Sequence, residues 1–385
     1  MRIAQVAPLI ESVPPPLYGG TERVVSWLTE ELVQQGHHVT LFASGDSHTA
    51  ARMVPGCPKA LRLHPIFTEV AIPHLLMYER LSRMAREFDL VHFHSDWAGF
   101  TFARRLSVPS LFTMHGRMDL PDLPPLLREY SEVPLVSISN SQRRPVQWAN
   151  WAGTVHHGLP HDLYRYGDGR GGYLAFCGRA SAEKRLDLAI TIAQKAGMDL
   201  LIAAKVDKAD VEHFDRVVKP MLHVEGVHFI GEIGDRQKNA FFGSAAALLF
   251  PIDWPEPFGL VMIEAMACGT PVIAFPRGSV PEIIEHGVTG FIVESVDEAV
   301  DAIAQLPTFD RRRCRERFEQ RFTARRMARD YLELYNRLGA AGAHTATSRF
   351  QPSPWNVPSR NAQGGRSFMA TNNAATWGRR PAWMR

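Results

Sequence analysis

The chain has 385 residues, 45% of them hydrophobic and 22% charged, which suits a globular protein with real cores and excludes a disordered or fibrous one. That length exceeds one ordinary domain and fits two of about 150 residues plus extras. The formal charge of +3 hides an asymmetry: residues 341–385 hold six arginines and no acid, so the first 340 residues sum to −3, and nothing in that body suggests a nucleic-acid binder.

The opening MRIAQVAPLI is too short, and too soon interrupted by proline, for a signal peptide. No apolar run approaches the roughly 18 residues of a membrane span. The four cysteines, Cys57, Cys177, Cys268 and Cys314, stand far apart without zinc-ligand spacing. A reducing cytoplasm is the expected setting.

IAQVA (3–7) reads as a first strand, and a proline-rich loop leads from it to Tyr18-Gly19-Gly20. A helix is expected from Thr21, a good N-cap, to Gln35, with Gly36 as its stop. HVTLFAS, LVHFHS, SLFTMH and LVSISNS follow as further strands. Near-continuous apolar strands joined by helices indicate a parallel sheet covered on both faces.

The pattern restarts after the glycine-rich GDGRGG (167–172). YLAFCG is a strand, GRASAEK a loop, and RLDLAITIAQKAG a helix ending at Gly197. DLLIAAK, VHFIG, ALLFPI and PVIAF continue as strands. The expected architecture is α/β: two doubly wound Rossmann-like domains, 1–168 and 169–309, whose ligand crevices at the strand C-terminal ends face one another. Residues 310–338 form an arginine-rich helical segment able to pack across both. Residues 339–385 read as a disordered cationic tail. Its Trp355, Trp377 and Trp383, interleaved with arginine, are candidates for a peripheral membrane or partner contact.

Gly19 and Gly20 open a helix directly after strand one, where glycines let backbone N–H groups approach an anion. The spacing is not G-x-G-x-x-G, so the nicotinamide fingerprint is missing. In GRASAEK, Arg179 and Lys184 lie five apart around a small-residue loop at a strand end. They either bring two cations onto one diphosphate or are solvated surface charges. No P-loop occurs.

EPFGLVMIEAMACGT places Glu256 and Glu264 eight apart in an otherwise apolar run. A buried carboxylate must be paired or hold a ligand, because alone it costs several kcal/mol or takes up a proton. Roughly two helical turns separate the acids, so both could face one crevice and accept bonds from vicinal hydroxyls. Phe258, Gly259 and Leu260 would expose N–H groups at the same helix start. His115, at the end of a first-domain strand, would look into the cleft from the other side.

Together GGTE, GRASAEK, EPFGLVMIE, ACGTPVIAF, RGSVPEII and HGVTGFIV resemble the retaining glycosyltransferases of family 4 over about residues 1–338. The resemblance implies the GT-B arrangement of two Rossmann-like domains about a cleft. It implies a nucleotide-diphosphate sugar as donor (UDP- or GDP-linked), an acceptor such as a sugar, a lipid-linked sugar or a small molecule, and no cofactor. By resemblance Glu256 holds the donor-sugar hydroxyls, Glu264 the ribose, Arg179 and Lys184 the diphosphate, and His115 lies near the donor sugar. The base would lie near Gly231-Glu232-Ile233. No D-x-D occurs, so side chains and helix dipoles are expected to replace a metal. Two departures stand out: His157-Gly158 where many members have Asn-Gly, and Ala204-Lys205 in place of a usual glycine. Alternatives on the same architecture are a sugar-nucleotide epimerase, a phosphorylase, or a sugar-nucleotide-binding protein without turnover.

Overall fold

The computed structural model describes residues 1–17, 19–63 and 69–342. Tyr18 and nearly all of the expected cationic tail, with its tryptophans, lie outside the described residues.

The first seven strands are β1 (Arg2–Val6), β2 (His38–Ser44), β3 (Arg52–Cys57), β4 (Leu90–Phe93), β5 (Ser110–Thr113), β6 (Leu135–Ser137) and β7 (Trp151–Thr154). They form one parallel sheet in the order β3-β2-β1-β4-β5-β6-β7. A second parallel sheet has the order β10-β9-β8-β11-β12-β13. Its strands are β8 (Tyr173–Arg179), β9 (Asp199–Lys205), β10 (Val227–Phe229), β11 (Ala247–Phe250), β12 (Val272–Ala274) and β13 (Gly290–Ile292). In both sheets the order reverses beside the first strand, next to β4 and next to β11. Loops from neighbouring strands part there and leave a crevice for a ligand.

The expected strands are all present, several of them shorter than the apolar runs that announced them. Three more, β3, β7 and β13, have no counterpart in the sequence reading. The first long helix, α1, runs from Gly20 to Gln34. Thr21 is not its cap: Gly19 is, at φ 141°, and no side chain caps the end. A side chain at Gly19 would strike Pro15 at 2.8 Å, so the glycine suits both its dihedral and its packing. Helices α2 (Leu186–Ala196), α3 (Asp235–Ser244) and α4 (Leu260–Ala267) belong to the second half. Helix α2 ends at Gly197 in the left-handed region, as the sequence predicts.

The 310–338 segment is two helices, α5 (Arg312–Arg321) and α6 (Ala324–Gly342), so the helical stretch passes the expected boundary at 338. At the break between them, Leu159 N–H donates to Phe322 O at 2.8 Å. A Cβ on Gly158 would lie 2.2 Å from Thr323 O, so only glycine permits this crossing of two backbones. Beyond it α6 returns to the first sheet. Tyr331 and Tyr335, both fully buried, sit against β4 and β5. One buried cluster therefore joins Trp27 and Leu28 of α1, Tyr331 and Tyr335 of α6, and Phe258, Met262 and Ile263 of the second half.

Candidate functional site

The loops after β1, β4, β5, β8 and β11 converge on the crevice, because each strand ends at the same edge of its sheet. Helix α1 starts there at Gly20 and helix α4 starts there at Leu260. A Cβ on Gly20 would sit 3.5 Å from Leu260 Cδ1, so the two helix starts are in contact. Both are capped by glycines at positive φ, Gly19 at 141° and Gly259 at 79°. Two helix N-termini, each carrying about half a positive charge, thus meet at one place.

Glu256 and Glu264 are not two turns apart on one helix, as their spacing suggested. Glu256 belongs to the loop before α4, and Glu264 lies inside α4. The loop is held by the segment that follows β12: Ser279 N–H donates to Glu256 O at 2.9 Å, and Gly278 adopts φ 58°. A Cβ on Gly278 would lie 2.3 Å from both Glu256 N and Glu256 O. Gly278→Ala is therefore expected to cost about 2–4 kcal/mol, from left-handed strain plus a backbone displacement. Chemical denaturation would show it, and an unchanged midpoint would mean that the loop does not depend on this approach.

Both acids are paired, each with a different lysine. The Lys184 ammonium donates to Glu256 Oε2, which also accepts Trp254 Nε1–H at 3.0 Å. The same ammonium lies 4.9 Å from the Trp254 ring centroid. Glu264, only 2% exposed, accepts from Lys238 Nζ at 2.7 and 2.9 Å. Burial opposes the charge on Lys238, but Glu264 outweighs it and raises the ammonium pKa. Lys238 was missed by the sequence reading, and nothing local marks it. Arg179 makes ion pairs with Glu183 at 2.5 Å and Asp210 at 3.2 Å. Phe258 buries its ring against His157, with centroids 4.8 Å apart. Of the remaining expected positions, Gly231 has φ 76° and Ile233 is buried.

His115 follows β5 and is half-buried. Its backbone N–H donates to Asp96 Oδ1 at 3.0 Å, its Nε2 lies 2.9 Å from His94 Nδ1, and its ring stacks on His157 at 5.3 Å. Desolvation lowers the His115 pKa to about 3 and holds those of His92, His94 and His157 well below the usual histidine value. All four rings are neutral at pH 7. Burial raises two acids of the same region, Asp96 to about 6 and Glu22 to about 7. His157 Nδ1 is buried without a hydrogen-bond partner.

Polar contacts tie the two halves across the crevice. Arg23 of α1 donates to Asp235 at the start of α3, and Tyr164 Oη–H donates to the other Asp235 oxygen at 3.2 Å. Glu282 accepts N–H bonds from Asn140 at 2.8 Å and Ser141 at 2.6 Å. Among the described residues, no three His, Cys, Asp or Glu groups stand together as a metal site. No described helix is long and apolar enough to cross a membrane.

Comparison with known proteins bears on the family and the fold. Residues 18–156 match the family model described as Glycosyltransferase Family 4, and residues 168–321 the one described as Glycosyl transferases group 1. A D-inositol 3-phosphate glycosyltransferase of Streptomyces scabiei (strain 87.22) is 27% identical over 283 residues, covering 60% of this chain and 62% of that protein. The chain thus spans about three fifths of the curated relative's length. Among solved structures, sucrose-phosphate synthase from Thermosynechococcus elongatus superposes with a TM-score of 0.72 at 20% identity, over 88% of this chain and 99% of that one. Anabaena Alr3699/HepE, solved in complex with UDP, gives a TM-score of 0.68 at 16% identity, over 88% and 100%. At these identities the likeness is one of fold.

Proposed function

From a chain that belongs to the GT-B glycosyltransferases, we propose a transferase that moves a sugar from UDP- or GDP-sugar to an acceptor hydroxyl, with retention of configuration and without a metal. The observation that carries the donor half is the meeting of the α1 and α4 N-termini beside Lys184. Backbone amides and one ammonium there offer positive charge at a single place, which suits a diphosphate. Departure of that diphosphate is the difficult event, so stabilising its growing charge supplies most of the catalysis.

On this reading the ion pairs of the free protein are placeholders. Lys184 leaves Glu256 for the β-phosphate, and the freed Glu256 carboxylate accepts from sugar hydroxyls. Arg179 exchanges Glu183 or Asp210 for phosphate oxygen. Glu264, fixed by Lys238, keeps lone pairs for the ribose hydroxyls. His115, neutral, stands at the sugar and carries no proton to the leaving group. The acceptor attacks from the face that the diphosphate vacates and passes its proton to the departing phosphate.

Thermal unfolding with a panel of nucleoside diphosphates in EDTA tests this. UDP or GDP at about 100 times Kd should stabilise by about 2.7 kcal/mol through mass action. Stabilisation that appears only with magnesium or manganese would transfer the phosphate role to a metal. None with any nucleotide would remove the donor.

A further inference from the structure

Behind His115 runs a chain of buried hydrogen bonds that the proposed reaction leaves unused. His115 Nε2 is 2.9 Å from His94 Nδ1, and His94 Nε2 is 2.7 Å from Gln5 Oε1. The Gln5 amide Nε2 donates to Tyr335 Oη at 3.1 Å. Tyr335 Oη lies 2.8 Å from His92 Nδ1, and His92 Nε2 lies 2.7 Å from Thr113 Oγ1. Thr113 Oγ1 in turn lies 2.8 Å from Tyr331 Oη. Gln5, His92, Thr113, Tyr331 and Tyr335 are fully buried, and His94 is 1% exposed.

Such a chain has a polarity. The carbonyl oxygen of Gln5 can only accept, so His94 Nε2 carries a proton and donates it. A neutral ring has one proton, so His94 Nδ1 must accept, and His115 Nε2 must donate to it. Nothing around His94 favours its cation. Three other histidine rings lie on one side: His92 with its centroid 4.0 Å away, His115, and His157 beyond it. Arg326 donates to the carbonyls of His156 and His157. The Asp96 carboxylate accepts from the His115 backbone N–H, not from its ring. Among the described residues His115 Nδ1 has no hydrogen-bond partner. Reversing the Gln5 amide would reverse every proton along the chain, so one side chain decides which nitrogen of His115 is bare.

We propose that Gln5 and His94 are positioning residues that fix His115 as the Nε2–H tautomer and reserve its Nδ1 lone pair to accept from a hydroxyl of the donor sugar. The sugar half of this rests on the function proposed above; the tautomer half does not. Tyr335 belongs to α6, so a helix from the far end of the described residues sets the proton position at a histidine of the first sheet. The other tautomer would offer an N–H at the same position and would favour a different pattern of sugar oxygens.

Long-range proton–nitrogen spectra of the histidine rings in the full chain decide the tautomer, with His115 assigned by loss of its signals in His115→Asn. The expected spectrum has a protonated Nε2 and a bare Nδ1 that do not change between pH 8 and pH 5.5. In His94→Gln the amide reaches Gln5 but not His115, and His115 should then show both tautomers. Hydrolysis of UDP-glucose or GDP-mannose by that variant should fall about tenfold in kcat, the worth of one misplaced hydrogen bond. If His94→Gln does not fold, Tyr335→Phe frees the Gln5 amide to turn and should mix the tautomers in the same way. A proton on Nδ1 of wild-type His115, or an imidazolium at pH 7, overturns the proposal. So does a His94→Gln protein that keeps both the tautomer and kcat. If the wild type turns over neither donor while its spectra are as expected, the transferase reading and the sugar contact fall and the tautomer assignment stands.

Discussion

Replacing Lys184 by alanine is expected to lower kcat by about 10²–10³-fold while changing donor KM much less, because a preorganised charge contact tightens as the leaving group forms. Lys184 has few neighbours to replace it: its ammonium sits between Glu256, the Trp254 ring and the Phe250 ring. Lys184→Arg should restore only part of the rate, since a planar fork and a point charge place their donors differently. Arg179→Ala should behave in the same way; Glu183 and Asp210 are among the partners that its side chain leaves. Both variants and the wild type should be assayed in EDTA. Activity lost in EDTA and restored by magnesium or manganese, or an Arg179→Ala, Lys184→Ala double variant with near-normal kcat, would show that other groups carry the diphosphate.

Glu264→Ala should cost about 3–5 kcal/mol of stability, because it strands a buried lysine. The side chains of Lys238 and Glu264 are 13% and 2% exposed, so water cannot replace the lost partner. Alanine therefore confounds folding with binding at this position. Glu264→Gln keeps an acceptor for Lys238 and loses only the charge. It is expected to weaken binding of UDP or GDP by about 1.5–3 kcal/mol, the range for a hydrogen bond to a charged group. Glu256→Ala should do the opposite: turnover falls and binding of the free nucleoside diphosphate persists. Calorimetry that gives the reverse assignment would exchange the roles of the two acids.

Most strands that were legible are buried on both faces; the exception is β10, a partly exposed edge strand. HVTLFAS has an apolar centre, is buried at every position but its first, and coincides with β2. RMVPGC did not announce β3, because an edge strand tolerates the proline and glycine that argue against a strand. WAGT and GFI, at β7 and β13, are too short to show any period. The start of α1 was misplaced by one residue because side-chain capping favours Thr21, whereas the chain uses a glycine dihedral. The site was legible as a set of loops at strand ends. Its pairings were not: Glu256 finds Lys184 from 72 residues away and Glu264 finds Lys238 from 26 residues away. Local spacing carries no information on such contacts. It suggested that the acids share a helix face, and the EPFG loop ahead of α4 breaks that regularity. One signal was present and unused. In LVHFHS the two histidines are two residues apart, so they share a strand face, and that face is the one buried against Tyr331 and Tyr335.

The return of α6 to the first sheet bears on the order in which the protein can be made. Gln5, His92 and Thr113 leave the ribosome early, but the hydroxyls that satisfy them arrive with Tyr331 and Tyr335. At usual elongation speeds roughly 10–40 s separate the end of β7 from the arrival of Tyr335. During that interval the nascent first sheet has an open apolar flank and polar atoms with only water to meet them. A chaperone that shields this flank, or a slow codon placed after residue 342, would act on the same exposed surface. Nonsense products that stop within α5 would present it permanently, and cellular proteolysis should clear them although all thirteen described strands have been translated.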